Sequence, residues 1–155
     1  IGHRKTCFTV LNKGQFCFTR NVKFGGENIS NEIKRELEIS YKKAEELKVK
    51  PEKWGDVGLN IKNVLRKSTP DLLETIYKSI EYCKSQHFIQ NVDRLLISGG
   101  TSFLDSFDEF LIDILGLETV KWNPFSNIKL LKEKENGPYM SIALGLALRN
   151  LNENV

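Results

Sequence analysis

The fold is constrained most by the stretch from Asp93 to Leu115, DRLLISGGTSFLDSFDEFLIDIL. Leu95, Leu96 and Ile97 form a short continuous apolar run, the pattern of a strand covered on both faces. Gly99 and Gly100 then remove two side chains at the turn, so backbone amides can approach a ligand closely. Thr101 or Ser102 is placed to cap the helix that follows, with Asp105 or Asp108 near its positive end. Phe103, Leu104, Phe107, Phe110, Leu111, Ile114 and Leu115 fall at helical spacing and predict its buried face. A strand feeding a glycine turn and a helix N-terminus suits an anion or a nucleotide. It is also an ordinary βα connection, and one Gly-Gly pair does not choose between them.

The same device occurs upstream. Thr6 to Leu11 and Gln15 to Arg20 alternate and are separated by Asn12-Lys13-Gly14. A three-residue loop with Gly14 left-handed predicts a hairpin that sets Phe8 opposite Phe18 and Val10 opposite Phe16. A third short strand is predicted over Val22 to Phe24. Gly25-Gly26 ends it, and Asn28 is placed to cap a helix carrying Ile29, Ile33 and Leu37. Ser40 opens a second helix, which ends before Pro51. Gly55 and Gly58 predict an irregular stretch, followed by a turn of helix at Ile61, Val64 and Leu65. Thr69-Pro70 starts a helix whose inner stripe is Leu73, Ile76, Tyr77, Ile80 and Cys83. His87 ends that helix. Thr119 to Trp122 reads as a strand and Lys129 to Gly137 as a solvated loop. The last helix, from Tyr139, packs Met140, Ala143, Leu144, Ala147 and Leu148 into a core, with Gly145 allowing a close approach. The order is that of an α/β lobe with antiparallel strands first and parallel βα units after them.

Composition narrows the function classes. With 40% hydrophobic and 28% charged residues, the 155-residue chain can bury a core as one domain or two small subdomains. Its net charge of +3 is scattered, so the clustered basic footprint of nucleic-acid binding is missing. Cys7, Cys17 and Cys83 lack C-x-x-C spacing and read as buried free thiols of a reducing compartment. A Cys7–Cys17 bridge across the hairpin stays open. No apolar run reaches the roughly 18 residues of a membrane helix, so direct membrane insertion is not expected. No basic-then-apolar leader opens the chain, and Ile1 beside a strand reads as the start of a piece cut from something longer.

Three pieces together resemble the actin/Hsp70-like ATPase superfamily. IGHRKTCFTVLNKGQFCFTR resembles its second phosphate loop, D-I-G-x-x-x-T followed by a hairpin. FGGENIS and SGGTSFLDSF resemble its two other Gly-Gly turns, the second being the adenosine motif. Within the superfamily, FGGENISNEIKRELE followed by ISYKKAEELK, and the ending KWNPF with YMSIALGLALR, are similar to the PilM family of type IV pilus assembly proteins. FtsA of cell division is the next relative.

The resemblance implies the second lobe of an actin-like (ribonuclease H-like) α/β fold. It would be a mixed sheet with a hairpin followed by βα units and a helical inserted subdomain. Subdomain 2A would take about 1–38 and 92–155, and subdomain 2B about 39–91. By position, Gly2 and Thr6 would belong to the phosphate loop, and Gly25, Gly26 and Glu27 would border the nucleotide. Glu45 and Lys48 would face the base or ribose. Ser98, Gly99, Gly100, Thr101 and Ser102 would pass beside the adenosine. Thr6 also reads as a plain strand residue, and Glu45 and Lys48 as part of a solvated helix face.

The implied cofactor is ATP with Mg²⁺ in the full-length protein. The family's Asp before Ile1, which helps hold Mg²⁺, and its first lobe are not in this chain, and His3-Arg4-Lys5 supplies charge but no catalytic base. The chain by itself is therefore not expected to hydrolyse ATP. The implied role is a cytoplasmic scaffold peripheral to the inner membrane. Its partner would be the cytoplasmic N-terminal tail of a single-span, PilN-like pilus protein, bound largely on the other lobe, with pilus assembly motor ATPases as further partners. A cell-division filament former or a kinase of the same fold is the alternative.

Overall fold

The computed structural model describes residues 1–86, 91–126 and 137–149. His87 and the loop from Lys129 to residue 136 lie outside them. The chain opens with a hairpin, β1 (Thr6–Asn12) and β2 (Gln15–Val22). Helices α1 (Gly26–Leu37), α2 (Tyr41–Lys48), α3 (Ile61–Ser68) and α4 (Pro70–Gln86) follow. Two short 3₁₀ turns, Pro51–Lys53 and Gly55–Val57, fill the irregular stretch before α3. Then come β3 (Arg94–Ile97), a 3₁₀ turn at Gly100–Phe103, α5 (Phe107–Leu115), β4 (Glu118–Lys121) and α6 (Ser141–Arg149). Antiparallel and parallel pairing both occur, in two ladders: β1 with β2, and β3 with β4.

The hairpin register differs from the expected one by two residues. Lys13 (φ 50°) and Gly14 (φ 80°) both take positive φ, so the loop needs only two residues and Asn12 pairs with Gln15. The ladder slips next to Val10 and Leu11, leaving Cys17 as the extra residue of a bulge. Val10 therefore faces Phe18, and Phe8 faces Arg20. No third strand forms over 22–24: Val22 closes β2, and Phe24 is buried in the core.

The core joins the lobe's two ends. Ile29 and Ile33 of α1, Val64 and Leu65 of α3, Leu72 of α4, and Phe107 and Leu111 of α5 pack with Phe24. Burying such side chains gains about 1.5–3 kcal/mol each relative to exposure. The stripe of α4 is rotated from the predicted one. Leu72, Ile76, Ser79 and Cys83 are buried, whereas Tyr77 is exposed and its hydroxyl donates to the Ile114 carbonyl at 2.9 Å. Of the thiols only Cys83 is buried; Cys7 is exposed and Cys17 half-buried, all three free.

Two helices depart from expectation more sharply. Helix α5 starts at Phe107, after a 3₁₀ turn and a left-handed Ser106 (φ 60°), so Thr101 and Ser102 do not cap it. Asp108 does sit in its first turn, paired with Lys121 at 3.0 Å. Phe103 is consequently outside the helix and partly exposed. In α6 no described residue is buried, and a Cβ at Gly145 would meet nothing within 4 Å. An apolar period marks a face for burial without supplying the partner, and none of the described residues covers this one.

Candidate functional site

Three backbone segments meet at the chain's opening loop. The Gly2 carbonyl accepts from the Gly26 amide at 3.0 Å and from the Thr101 hydroxyl at 2.9 Å. The Glu27 amide donates to the His3 carbonyl at 2.8 Å, and the Thr101 amide to the Ile1 carbonyl at 3.3 Å. The Ile1 nitrogen donates to the Ser98 carbonyl. Both glycine turns therefore grip one loop, and both need glycine to come that close. A Cβ on Gly25 would lie 2.3 Å from the His3 oxygen, and one on Gly99 2.5 Å from the Ile1 oxygen. Gly99 also holds φ +89°, where a side chain is strained.

Helix α2 closes the site from the side. Tyr41, Glu45 and Lys48 recur along one face of it, and Lys48 reaches back to α1. Its side chain is 11% exposed, and its Nζ donates to the Gly26 carbonyl (3.1 Å), Ser30 Oγ (2.8 Å) and Glu45 Oε1 (2.8 Å). The Ser30 and Tyr41 hydroxyls donate to the same Glu45 oxygen. Partial burial pushes the Glu45 carboxyl up, but hydrogen bonds from Lys48 and Ser30 and the Lys48 charge outweigh it and leave it below its usual range. Desolvation, with the hydrogen bond to Glu45, pushes Tyr41 up to about 12.

Each residue singled out in the sequence can now be placed. Gly2, Gly25, Gly26, Glu27, Ser98, Gly99, Thr101, Glu45 and Lys48 come together around the opening loop. Gly100 lies under the Tyr139 ring, which stacks on Phe103 at 4.5 Å. Thr6 and Ser102 are buried with their hydroxyls turned into the fold, donating to the Phe24 and Gly99 carbonyls at 2.8 and 2.7 Å. Asn28 stands at the third position of α1, not at its cap, and its Oδ1 accepts from the Gly25 amide at 3.0 Å. Ser30 and Tyr41 join the site unannounced by any single motif. Tyr41 was readable from its four-residue spacing to Glu45; Ser30, one turn past Gly26, was readable only once α1 and α2 were known to face each other.

The donors left over decide what the site can hold. The amides of Gly25, Gly26, Glu27 and Asn28 all donate within the protein, so the N-terminus of α1 is already satisfied. Among the described residues, the amides of His3, Arg4, Lys5, Gly99 and Gly100 have no acceptor. These donors, with the cationic side chains of the opening loop, fit an anionic ligand carrying phosphates. Glu45 and Tyr41 offer polar partners for hydroxyls. No group of carboxylates, histidines or cysteines among the described residues forms a Mg²⁺ site.

Comparison with known proteins agrees with this architecture. The chain superposes on the PilM-PilN type IV pilus biogenesis complex with a TM-score of 0.76 and 26% identity, covering 96% of this chain and 44% of that one. It also matches the ethanolamine utilization protein EutJ from Carboxydothermus hydrogenoformans (0.64, 22%, covering 96% and 46%). A third match is MreB5 of Spiroplasma citri bound to ADP (0.60, 16%, covering 99% and 53%). The fold is thus that of the actin-like ATPases, and the chain spans about half the length of these proteins. The profile described as type IV pilus assembly protein PilM matches residues 1–151, and the chain accordingly belongs to the PilM family of type IV pilus assembly proteins.

Proposed function

We propose that this chain is the second lobe of a nucleotide-binding, actin-like scaffold, with subdomain 2A formed by about 1–38 and 92–155 and subdomain 2B by about 39–91. The observation that carries the reading is the meeting of the opening loop, both glycine turns and the Tyr41–Glu45–Lys48 face at one place, with unspent amides at His3–Lys5 and at Gly99–Gly100. Phosphates lie against the opening loop, and the nucleoside lies between Gly99–Gly100 and α2. The ADP bound by the structural relative MreB5 supports a nucleotide for this fold. ATP with Mg²⁺ is the proposed ligand. The described residues supply no ligand set for the metal, which would be held by the phosphates and by groups elsewhere in the full-length protein.

The full-length protein works in the cytoplasm against the inner membrane and binds the tail of a PilN-like, single-span partner. The solved PilM-PilN complex of a 26% identical relative supports that partner. Nucleotide acts there as a conformational ligand, favouring the lobe arrangement that binds it better. Pilus motor ATPases are further partners of the assembly.

Calorimetric titration of Mg-ATP into the full-length protein tests the ligand. Gly100→Val places its side chain against a movable tyrosine ring rather than backbone, and should leave folding intact. We expect it, and Glu45→Ala, to weaken binding about tenfold or more, which is about 1.4 kcal/mol or more. Affinities unchanged in both variants, or no binding by the parent protein, would overturn the nucleotide reading. Titrating a PilN-like tail peptide with and without nucleotide tests the partner; a tail affinity of zero in both states would refute it.

A further inference from the structure

Helix α2 has a second face, turned away from the glycine turns. Lys43 and Glu46 on it, with Leu47 and Lys50, form one wall of a cavity of about 380 Å³. Leu37 and Ile39 at the end of α1 form the floor, and Lys53, Asp56 and Val57 of the 3₁₀ turns close the far side. That far side is fixed in place. Trp54 is buried, its indole N–H donates to the Leu47 carbonyl at 2.9 Å, and its own carbonyl accepts from the Leu59 amide at 2.9 Å. The volume falls within the range of about 300–1,000 Å³ typical of preformed ligand sites.

The charges around this cavity are uncommitted. Lys48, Lys62, Lys67, Lys78, Lys84 and Lys121 all have carboxylate partners. Lys43 on α2 and Lys50 and Lys53 just beyond it have none among the described residues, and neither Glu46 nor Asp56 has a cationic partner there, which leaves the rim one positive charge in excess. An apolar floor ringed by more ammonium groups than carboxylates calls for an occupant with an apolar body and negative charge beside it.

We propose that this cavity is a docking site for an acidic amphipathic peptide segment of a partner protein. One or two large apolar side chains enter over Leu37, Ile39 and Val57, and flanking carboxylates meet Lys43, Lys50 and Lys53. The site is separate from the nucleotide reading and stands without it, because the residues of α2 that it uses are not those that reach Gly26 and Ser30.

The probe is a fluorescein-labelled peptide of about twelve residues with Leu and Phe along one helical face and Glu on the rest, the geometry of helix-in-groove recognition. Fluorescence polarisation is read against a version with Lys in place of every Glu. The acidic peptide should bind at least about tenfold tighter than the basic one. The triple variant Lys43→Glu, Lys50→Glu, Lys53→Glu should abolish that preference. Val57→Asp, at a side chain already 44% exposed, should weaken binding about fivefold or more without moving the melting temperature. Lys78→Glu with Lys84→Glu, a control away from the cavity, should stay within about twofold. Equal binding of both peptides, full affinity in Val57→Asp, or an equal loss in the control pair would overturn the proposal. Saturation by a small organic anion such as benzoate, with no peptide binding, would overturn it in favour of a metabolite site.

Discussion

The two glycine turns are near twins in sequence and opposites in use. Gly25 is extended (φ −168°), and the four amides from Gly25 to Asn28 all donate within the protein. Gly99 is left-handed, and its amide and that of Gly100 have no acceptor among the described residues. The first turn is a clasp: it trades the ligand capacity of a helix N-terminus for a grip on the opening loop. The second grips the same loop through Thr101 and keeps its own donors free. A Gly-Gly pair therefore reports a close backbone approach, and only the hydrogen-bond partners say whether a ligand or the protein makes that approach.

Substitution at the two turns should separate these roles. Gly99→Ala meets both a backbone strain and a clash with the Ile1 carbonyl, and should cost about 2–5 kcal/mol. Gly25→Ala keeps an allowed backbone, but its Cβ meets the His3 carbonyl at 2.3 Å and the Gly2 carbonyl at 2.6 Å, for about 2–4 kcal/mol. Urea denaturation of both variants measures the gap. If either variant stayed within about 0.5 kcal/mol of the parent, that turn would not be gripping the opening loop. Thr101→Val comes next. It removes the one side chain that ties the second turn to the Gly2 carbonyl, at a cost of about 1 kcal/mol. Hydrogen exchange at Gly26 and Glu27 should rise with it, because their acceptors sit on the loop that Thr101 holds.

The sequence made the fold legible where a local signal was sufficient. The Gly turns, Pro70 at a helix start and the Ile29–Ile33 spacing each act within a few residues, and each stands where it was read. The misses came from partners far away in the chain. Nothing near Gly14 announces that the hairpin bulges at Cys17, and nothing in SGGTSF says that Thr101 spends its hydroxyl on Gly2 instead of capping α5. Helix α6 has a convincing apolar period, yet Met140 and Leu148 of its expected inner face are 41% and 40% exposed. The site residues were legible as a set only through the family resemblance. Their division between structural and unspent donors required coordinates.

The smallest expected effect sharpens the first turn's role as a clasp. Glu45 ties α2 to it through Ser30 and Lys48, and its carboxyl is held below the usual range. A lowered carboxyl pKa means that the unfolded chain binds the proton more readily. The stability Glu45 contributes is therefore complete above its unfolded value of 4.5 and is lost as pH falls through the folded value. Its side chain is 33% exposed, so solvent screening keeps the contribution below about 1 kcal/mol. Urea midpoints of the parent and of Glu45→Gln should differ by a constant amount from pH 7 to pH 5, then converge as pH falls below 4.5. Tyr41, with its folded value at about 12 against 10.0 unfolded, works at the other end of the scale: its contribution is complete below pH 10 and is lost as pH rises toward 12. Tyr41→Phe should flatten that alkaline loss while leaving the acid limb to Glu45. If Glu45→Gln left the acid limb unchanged, the Lys48–Ser30 network would lie beside the clasp without strengthening it, and the first turn's grip would rest on its backbone bonds alone.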